Sequence, residues 1–344
     1  MQSYFNRIAG NSQAKSRIGE NIAKGTLPHA LLLSGGEGVG KLTFALEIAA
    51  AVNCENKGNL SHPLPCHACN TCRRIFEGKF LDVKIIQREG SRASVSIEDV
   101  RSAKSDMALS PSESDCKIYI FKDAHLMTAA AQNSLLKALE EPVGRTFMIL
   151  LAEQEDKLLT TIKSRVQTIP MQRFSESDID EYISERRSDL LSVKRSDPEG
   201  YRASLLAAEG SIGRAISYLS PDMISEIMQR RALADRLLSA FSKKTEYKEI
   251  KSAVASLPAK RQELLSMLDE IINGVRDIIA LRYSKNARLR HFAAREDAER
   301  LSSLIGAVRA VAIYELLTDI YEDCQKNANI SSLMTRLSST IPTI

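Results

Sequence analysis

Gly35-Gly36-Glu37-Gly38-Val39-Gly40-Lys41-Leu42-Thr43 puts four glycines and a lysine into nine residues. A loop with so few side chains can turn its backbone N–H groups to one side, and a helix opening at Lys41 adds its positive N-terminal end, which together make a phosphate cradle. Lys41 would reach the β and γ phosphates of a nucleotide, with Gly35, Gly38, Gly40 and Thr43 completing the binding set. The other reading is a glycine-rich turn that holds nothing. Position 42 departs from the usual chemistry, because the residue after the lysine normally brings a hydroxyl to Mg²⁺. Here it is Leu42, and Thr43, one residue later, is rotated by about 100° around a helix axis. ATP or ADP can be accommodated on this pattern, whereas the grounds for Mg²⁺ are weak.

A second place bears on the same chemistry. Ile118-Tyr119-Ile120-Phe121 is an apolar run, after which nucleotide hydrolases of this kind set an Asp for Mg²⁺ and a Glu for the attacking water. Lys122-Asp123 stands there instead. An ammonium repels a divalent cation, and Asp123 reaches less far than Glu, so weak or absent hydrolysis is the expectation. An ordinary charged strand end is the competing reading.

Four of the six cysteines, Cys54, Cys66, Cys69 and Cys72, fall within nineteen residues. Two overlapping Cys-x2-Cys steps let one tight turn wrap a tetrahedral Zn²⁺, and four thiolates leave no open coordination position, so a structural Zn²⁺ is expected rather than a catalytic one. His62 or His67 replacing a cysteine is the alternative. A zinc-dependent DNA-binding module would call for a basic, aromatic-laced surface, and the segment from Cys54 to Cys72 has few basic residues and no aromatic. Cys116 and Cys324 stand apart and read as buried thiols. His29, His125, at the start of a helix after Asp123, and His291 read as packing or capping residues.

These groups need elements to position them. Apolar runs at Ala30 to Ser34, Val83 to Gln87, Ile118 to Phe121 and Phe147 to Ala152 alternate with helical patterns such as Lys41 to Ala51 and Ala129 to Glu141, the latter stopping at Pro142. Alternation of this kind predicts an α/β domain with a parallel sheet. After Pro170 the strand signals fade, and helices are expected at Ser175 to Arg187 and Tyr201 to Glu209. From about Met223 to Leu337 the pattern is helical throughout. Leu264, Leu268, Ile271, Val275 and Ile278 recur four and three apart, which suits a helix-bundle core better than a coiled-coil seam. Boundaries near Pro170 and Pro221 divide the chain into 1–170, 171–221 and 222–344.

The whole composition agrees with several small domains. The chain has 344 residues, 44% hydrophobic and 26% charged, with a net charge of +4, too weakly basic for a protein that grips duplex DNA unaided. It offers no apolar run long enough to span a bilayer and no secretory or lipidation pattern, so no membrane partner and a cytoplasmic location are expected.

Further strings carry a family resemblance. Phe5-x2-Ile8-x-Gly10-Asn11, Leu27-Pro28-His29-Ala30 and Ala131-Gln132-Asn133-Ser134-Leu135-Leu136-Lys137-Ala138-Leu139-Glu140-Glu141-Pro142 resemble the clamp-loader subunits of bacterial DNA polymerase III, which are AAA+ proteins. Thr161-Ile162-Lys163-Ser164-Arg165-Val166 resembles their Ser-Arg-Cys motif with Val166 in place of the cysteine, and Gly210-Ser211-Ile212-Gly213-Arg214-Ala215 resembles their lid-domain sensor. The resemblance covers about residues 1 to 220. It implies an AAA+ P-loop domain carrying an inserted zinc knuckle at 54–72, a small helical lid and a C-terminal all-α collar. Leu42 and Lys122 resemble the delta-prime branch, whose nucleotide site degenerates while the Ser-Arg motif stays, more than the gamma and tau motor subunits; a divergent motor or another AAA+ ATPase is the alternative.

That likeness further implies a stator in a hetero-pentamer with gamma/tau and delta subunits that loads the sliding clamp onto primer-template DNA. Arg165 would act in trans as an arginine finger on a neighbouring motor subunit's ATP, or else form an interface salt bridge. Arg214 would contact nucleotide in its own subunit, or tie lid to sheet. The family's polar sensor after the Phe147 run is replaced by Ala152-Glu153-Gln154, and Glu153 would repel phosphate.

Overall fold

The computed structural model describes residues 3–59, 61–88, 94–242, 247–284, 287–292 and 294–344. Position 60 of the expected knuckle, and 243–246, 285–286 and 293 of the expected helical region, lie outside them. The chain forms two compact units, one of residues 1–178 with 211–213 and the other of 179–210 with 214–344.

In the first unit the elements follow as α1 (Ser12–Lys24), β1 (Ala30–Ser34), α2 (Lys41–Val52), α3 (Asn70–Phe76), β2 (Val83–Ile86), α4 (Ile97–Met107), β3 (Lys117–Phe121), α5 (Ala129–Glu140), β4 (Thr146–Ala152), α6 (Thr160–Lys163) and β5 (Gln167–Pro170). The five strands make one parallel sheet in the order β2-β3-β4-β1-β5. Both faces are covered, which is why the strands read as continuous apolar runs rather than as alternating ones. Leu31 and Leu33 of β1 join one core with Ile118, Ile120, Ile149 and Leu151. Ala30 and Leu32 join the opposite core with Tyr119, Phe121, Met148 and Leu150.

Local signals set the helix ends. Ser96 and Asp99 form a capping box on α4, and the Thr128 side chain caps α5. The latter helix stops at Glu140, with Glu141 extended at φ −130°, because the ring of Pro142 excludes helical geometry from the residue before it. His125 lies in a short 3₁₀ turn, Ala124–Leu126, and not at the start of a helix. The strand β5 was not anticipated: four residues with Gln167 and Thr168 and a terminal proline give little apolar signal, and such a strand suits a sheet edge.

The second unit is helical. It contains most of α7 (Glu176–Arg186), then α8 (Leu191–Ser196), α9 (Pro198–Ala207), most of α10 (Ile212–Tyr218), α11 (Pro221–Ser242), α12 (Tyr247–Ala255), α13 (Arg261–Tyr283), α14 (Arg295–Leu304), α15 (Ala307–Gln325) and α16 (Ile330–Thr340). The expected start at Tyr201 moves back to Pro198, because the Asp197 side chain accepts from the Gly200 N–H at 2.9 Å and a proline suits the first turn. Leu264, Leu268, Ile271, Val275 and Ile278 are all buried in the bundle core, each contributing roughly 1.5–3 kcal/mol by burial. Backbone N–H groups of Arg290, His291 and Phe292 donate to Asp277 of α13 at 2.8, 2.8 and 3.3 Å, so the segment before α14 is fastened to that helix. No single helix among the described residues is long and apolar enough to cross a membrane.

Candidate functional site

The glycine loop leaves the C-terminal end of β1, at the sheet edge where open α/β domains bind ligands. Its first amide, Gly35 N–H, donates to the Ala152 carbonyl of β4 at 3.1 Å. Gly35 has φ 153°, and a Cβ there would come within 2.7 Å of the Met171 carbonyl oxygen, so a side chain is excluded by space and conformation alike. At Gly40, φ 94°, a Cβ would meet nothing within 4 Å, since the residue opens on a cleft of about 540 Å³.

Lys41, the first residue of α2, folds back on that loop. Its Nζ donates to the carbonyls of Gly35 and Gly36 at 2.7 and 2.6 Å, and lies 3.9 Å from Glu153 at the end of β4. Burial pushes its ammonium below the usual lysine range, opposed by the carboxylates of Glu153, Asp123 and Glu37. An anion in the cradle would compete with those carbonyls for the same ammonium. Gly38, Gly40 and Thr43 line the cleft with Lys41. Leu42 lines it too, and packs against the core below.

The far wall comes from β3 and β4. Lys122 and Asp123 stand just past the end of β3 and face the cleft, as do Arg88 and His125. Asp123 lies 3.7 Å from Arg88, and the Glu153 amide donates to His125 Nδ1 at 3.4 Å. Arg88 was missed from the sequence, since a lone arginine after a short strand carries no motif. The cleft thus sets the glycine loop and Lys41 beside a wall in which Lys122 directly follows β3 and precedes Asp123.

The four cysteines converge as their spacing requires. Cys54 follows α2, Cys69 caps α3 and Cys72 lies within it, and with Cys66 their sulfurs all lie within 4.8 Å of one another. Cys69 N–H donates to Cys66 Sγ, Cys72 N–H to Cys69 Sγ and Asn56 Nδ2 to Cys66 Sγ, each at 3.4 Å. Bonds of this kind favour thiolate sulfur. Hydrogen bonding with Cys72, offset by burial, draws the Cys54 thiol down to about 5, while the same bond and burial push Cys72 up. Zn–S bonds of about 2.3 Å need sulfurs slightly under 4 Å apart, so this group can hold zinc with little movement. The Thr71 amide and hydroxyl donate to Glu55 at 3.1 and 2.8 Å and close the loop on itself.

No histidine belongs to that group. His67 stacks on Phe76 with ring centroids 5.2 Å apart, and its Nε2 is 3.4 Å from Glu47 of α2. The Glu47 carboxylate is fully buried, and neither oxygen has a hydrogen bond among the described residues. The sequence carries a signal for it in hindsight, a single charge inside the apolar run Phe44 to Ala51. Cys116 and Cys324 are buried, and burial raises the Cys116 thiol to about 11. His29 Nε2 bonds the Leu139 carbonyl at 2.8 Å, a capping role.

Arg165 lies apart from the cleft. It follows α6, and its Nε donates to Glu140 of α5 at 2.6 Å while Nη1 donates to the Thr161 carbonyl at 2.9 Å. Its side chain remains about one third exposed. Arg214 belongs to the second unit, 3.6 Å from Glu209.

A five-stranded parallel sheet in this order, with a glycine loop and lysine between its first strand and α2, defines a P-loop domain of the AAA+ type. Residues 10–175, just under half of the chain, match the family described as DNA polymerase III, delta subunit. The delta' subunit of DNA polymerase III from Bacillus subtilis is 37% identical over 166 residues, covering 48% of this chain and 49% of that protein. A gamma subunit from Buchnera aphidicola is 29% identical over 282 residues, 76% of this chain and 74% of that one. The chain thus spans about half the length of the first relative and about three quarters of the second. A solved Thermotoga maritima structure of a DNA polymerase III gamma subunit-related protein aligns over 95% of this chain and 98% of its own, at 20% identity and a TM-score of 0.47.

Proposed function

We propose that this chain is a delta-prime-like stator of the DNA polymerase III clamp loader, one that turns over little or no ATP itself. The observation that supports the reading is that the glycine loop and Lys41 share a cleft with Leu42 and Lys122, which stand at the two places that serve Mg²⁺ in a working site. In this reading 1–170 is the AAA+ module, 171–221 the lid and 222–344 the collar of a hetero-pentamer with gamma/tau and delta subunits. The assembly places the sliding clamp on primer-template DNA, and ATP or ADP rests in the cleft without hydrolysis. Cys54, Cys66, Cys69 and Cys72 hold a structural Zn²⁺. Arg165 enters the ATP site of a neighbouring motor subunit as an arginine finger, exchanging Glu140 for the γ-phosphate. Arg214 serves the chain's own nucleotide pocket.

Steady-state ATP hydrolysis tests this, measured on the chain alone and in a loader reconstituted with motor subunits, clamp and primed DNA. The isolated chain should show no turnover, and Arg165→Ala should lower the assembled rate about tenfold or more. A second reading, a gamma/tau-like motor, draws on the longer match to the gamma relative. Robust turnover by the isolated chain that is lost in Lys41→Ala would establish that motor and sink the stator.

A further inference from the structure

We propose that the cleft takes a nucleoside di- or triphosphate free of divalent cation, the Lys122 ammonium standing where a magnesium ion would otherwise neutralise the phosphates. The proposal rests on the reading of the glycine loop as a nucleotide site, and it goes further by naming the ionic form that is bound and the residue that selects it.

Charge pairing within the cleft points to this form. Its carboxylates among the described residues each have a partner: Asp123 faces Arg88 at 3.7 Å, Glu153 faces Lys41 at 3.9 Å, and Glu37 has an interaction of its own. Lys122 has no ion-pair or hydrogen-bond partner for its side chain among the described residues, although it lines the same cavity. A divalent cation entering here would find Leu42 directly after the loop lysine, with the Thr43 hydroxyl one position further on, no carboxylate without a partner among the described lining residues, and three cationic side chains, Lys41, Arg88 and Lys122. Like charges in a half-enclosed cleft repel strongly. Phosphate oxygens would meet the N-terminus of the twelve-residue α2 and open space at Gly40 on one side, and on the other the Lys122 ammonium, unpaired among the described residues.

The residues therefore do not fit Mg²⁺, while they do fit the phosphates that Mg²⁺ usually accompanies. Lys122 would act by position, as a fixed charge that hydrolysis cannot use. A lysine gives phosphate one point charge and no coordination shell, so it can hold a nucleotide without polarising an attacking water. Such a site would keep its nucleotide as a brace between loop and sheet instead of as a fuel.

The test is a titration of the full chain with mant-ADP and mant-ATP, followed by fluorescence, with Mg²⁺ either omitted or in excess. Magnesium is withdrawn by omission and not by a chelator, so that the cysteine group is untouched. Binding without Mg²⁺ should be at least as tight as with it. Lys122→Asp should weaken metal-free binding about tenfold or more and make added Mg²⁺ favourable, and Lys122→Ala should weaken it without creating that metal dependence. Binding by wild type only when Mg²⁺ is present would overturn the proposal and leave the nucleotide site standing. No binding under either condition would remove both. Metal-free binding that neither Lys122 variant alters, with folding checked by thermal melting, would overturn the role given to Lys122.

Discussion

A single buried carboxylate shows how far residue type alone can mislead. Glu47 sits on the inward face of α2, where among the described residues neither oxygen has a hydrogen bond and His67 lies 3.4 Å away. Burying a carboxyl group with so few partners costs desolvation free energy, and replacing such buried polar groups by apolar ones of similar volume is often neutral or stabilising. Glu47→Met should leave the denaturation midpoint unchanged or raise stability by up to about 2 kcal/mol, as read from urea unfolding. A loss beyond about 2 kcal/mol would mean that the carboxylate supports the cysteine loop through His67. Lys41, Leu42, Lys122 and the four cysteines were each legible from type and spacing. Arg88 and Glu47 were not, because their roles come from what stands opposite them across a fold. Arg165 was found through its motif, but nothing in the string tells that its partner within the chain is Glu140, 25 positions earlier.

Between elements, the bundle offers a pH-dependent fastening. His291 is buried, with Nδ1 2.6 Å from Glu270 of α13 and Nε2 2.9 Å from Asp235 of α11. Burial lowers its affinity for a proton, but the bonds to Asp235 and Glu270 outweigh burial and hold its pKa above the ordinary value of 6.5. A group whose pKa is raised in the folded state adds stability that is complete below its unfolded pKa and is lost as pH rises through the folded one. Stability of the second unit should therefore fall as pH climbs above about 6.5, and His291→Asn should flatten that fall. Urea midpoints taken across the range for both proteins would show it; parallel curves would assign the pH dependence elsewhere. The 3.6-residue spacing of Leu264 to Ile278 marks α13 as a core helix. It is silent about Asp235, Glu270 and His291, which meet from three separate stretches of chain.

At the scale of the whole molecule, the cysteine group offers the clearest lever on the first unit. It joins the end of α2, which begins in the phosphate loop, to α3, and Cys54, Cys66 and Cys72 are part of the same core as Leu31 and Ile118. If zinc is held there, its binding energy is also folding energy. Stripping metal with a strong chelator, or introducing Cys72→Ser, should lower the melting temperature by several degrees and release about one equivalent of Zn²⁺; an unchanged melt with no metal released would argue for four free thiols. The sequence by itself determined the kinds of structure present, since apolar periodicity, caps and glycine runs are local and act over a few residues. Four strands, the phosphate loop and the cysteine turn could be placed that way. The fifth strand, Gln167–Pro170, could not, because its pairing with β1 lies more than 130 residues away and its own residues carry little apolar signal. Tertiary structure alone decided which charges face one another. Asp123 beside Arg88, Glu153 beside Lys41 and Lys122 on the wall of the same cleft follow from the order in which parallel strands lie side by side, and electrostatics depends on distance through space, which position along the chain does not encode.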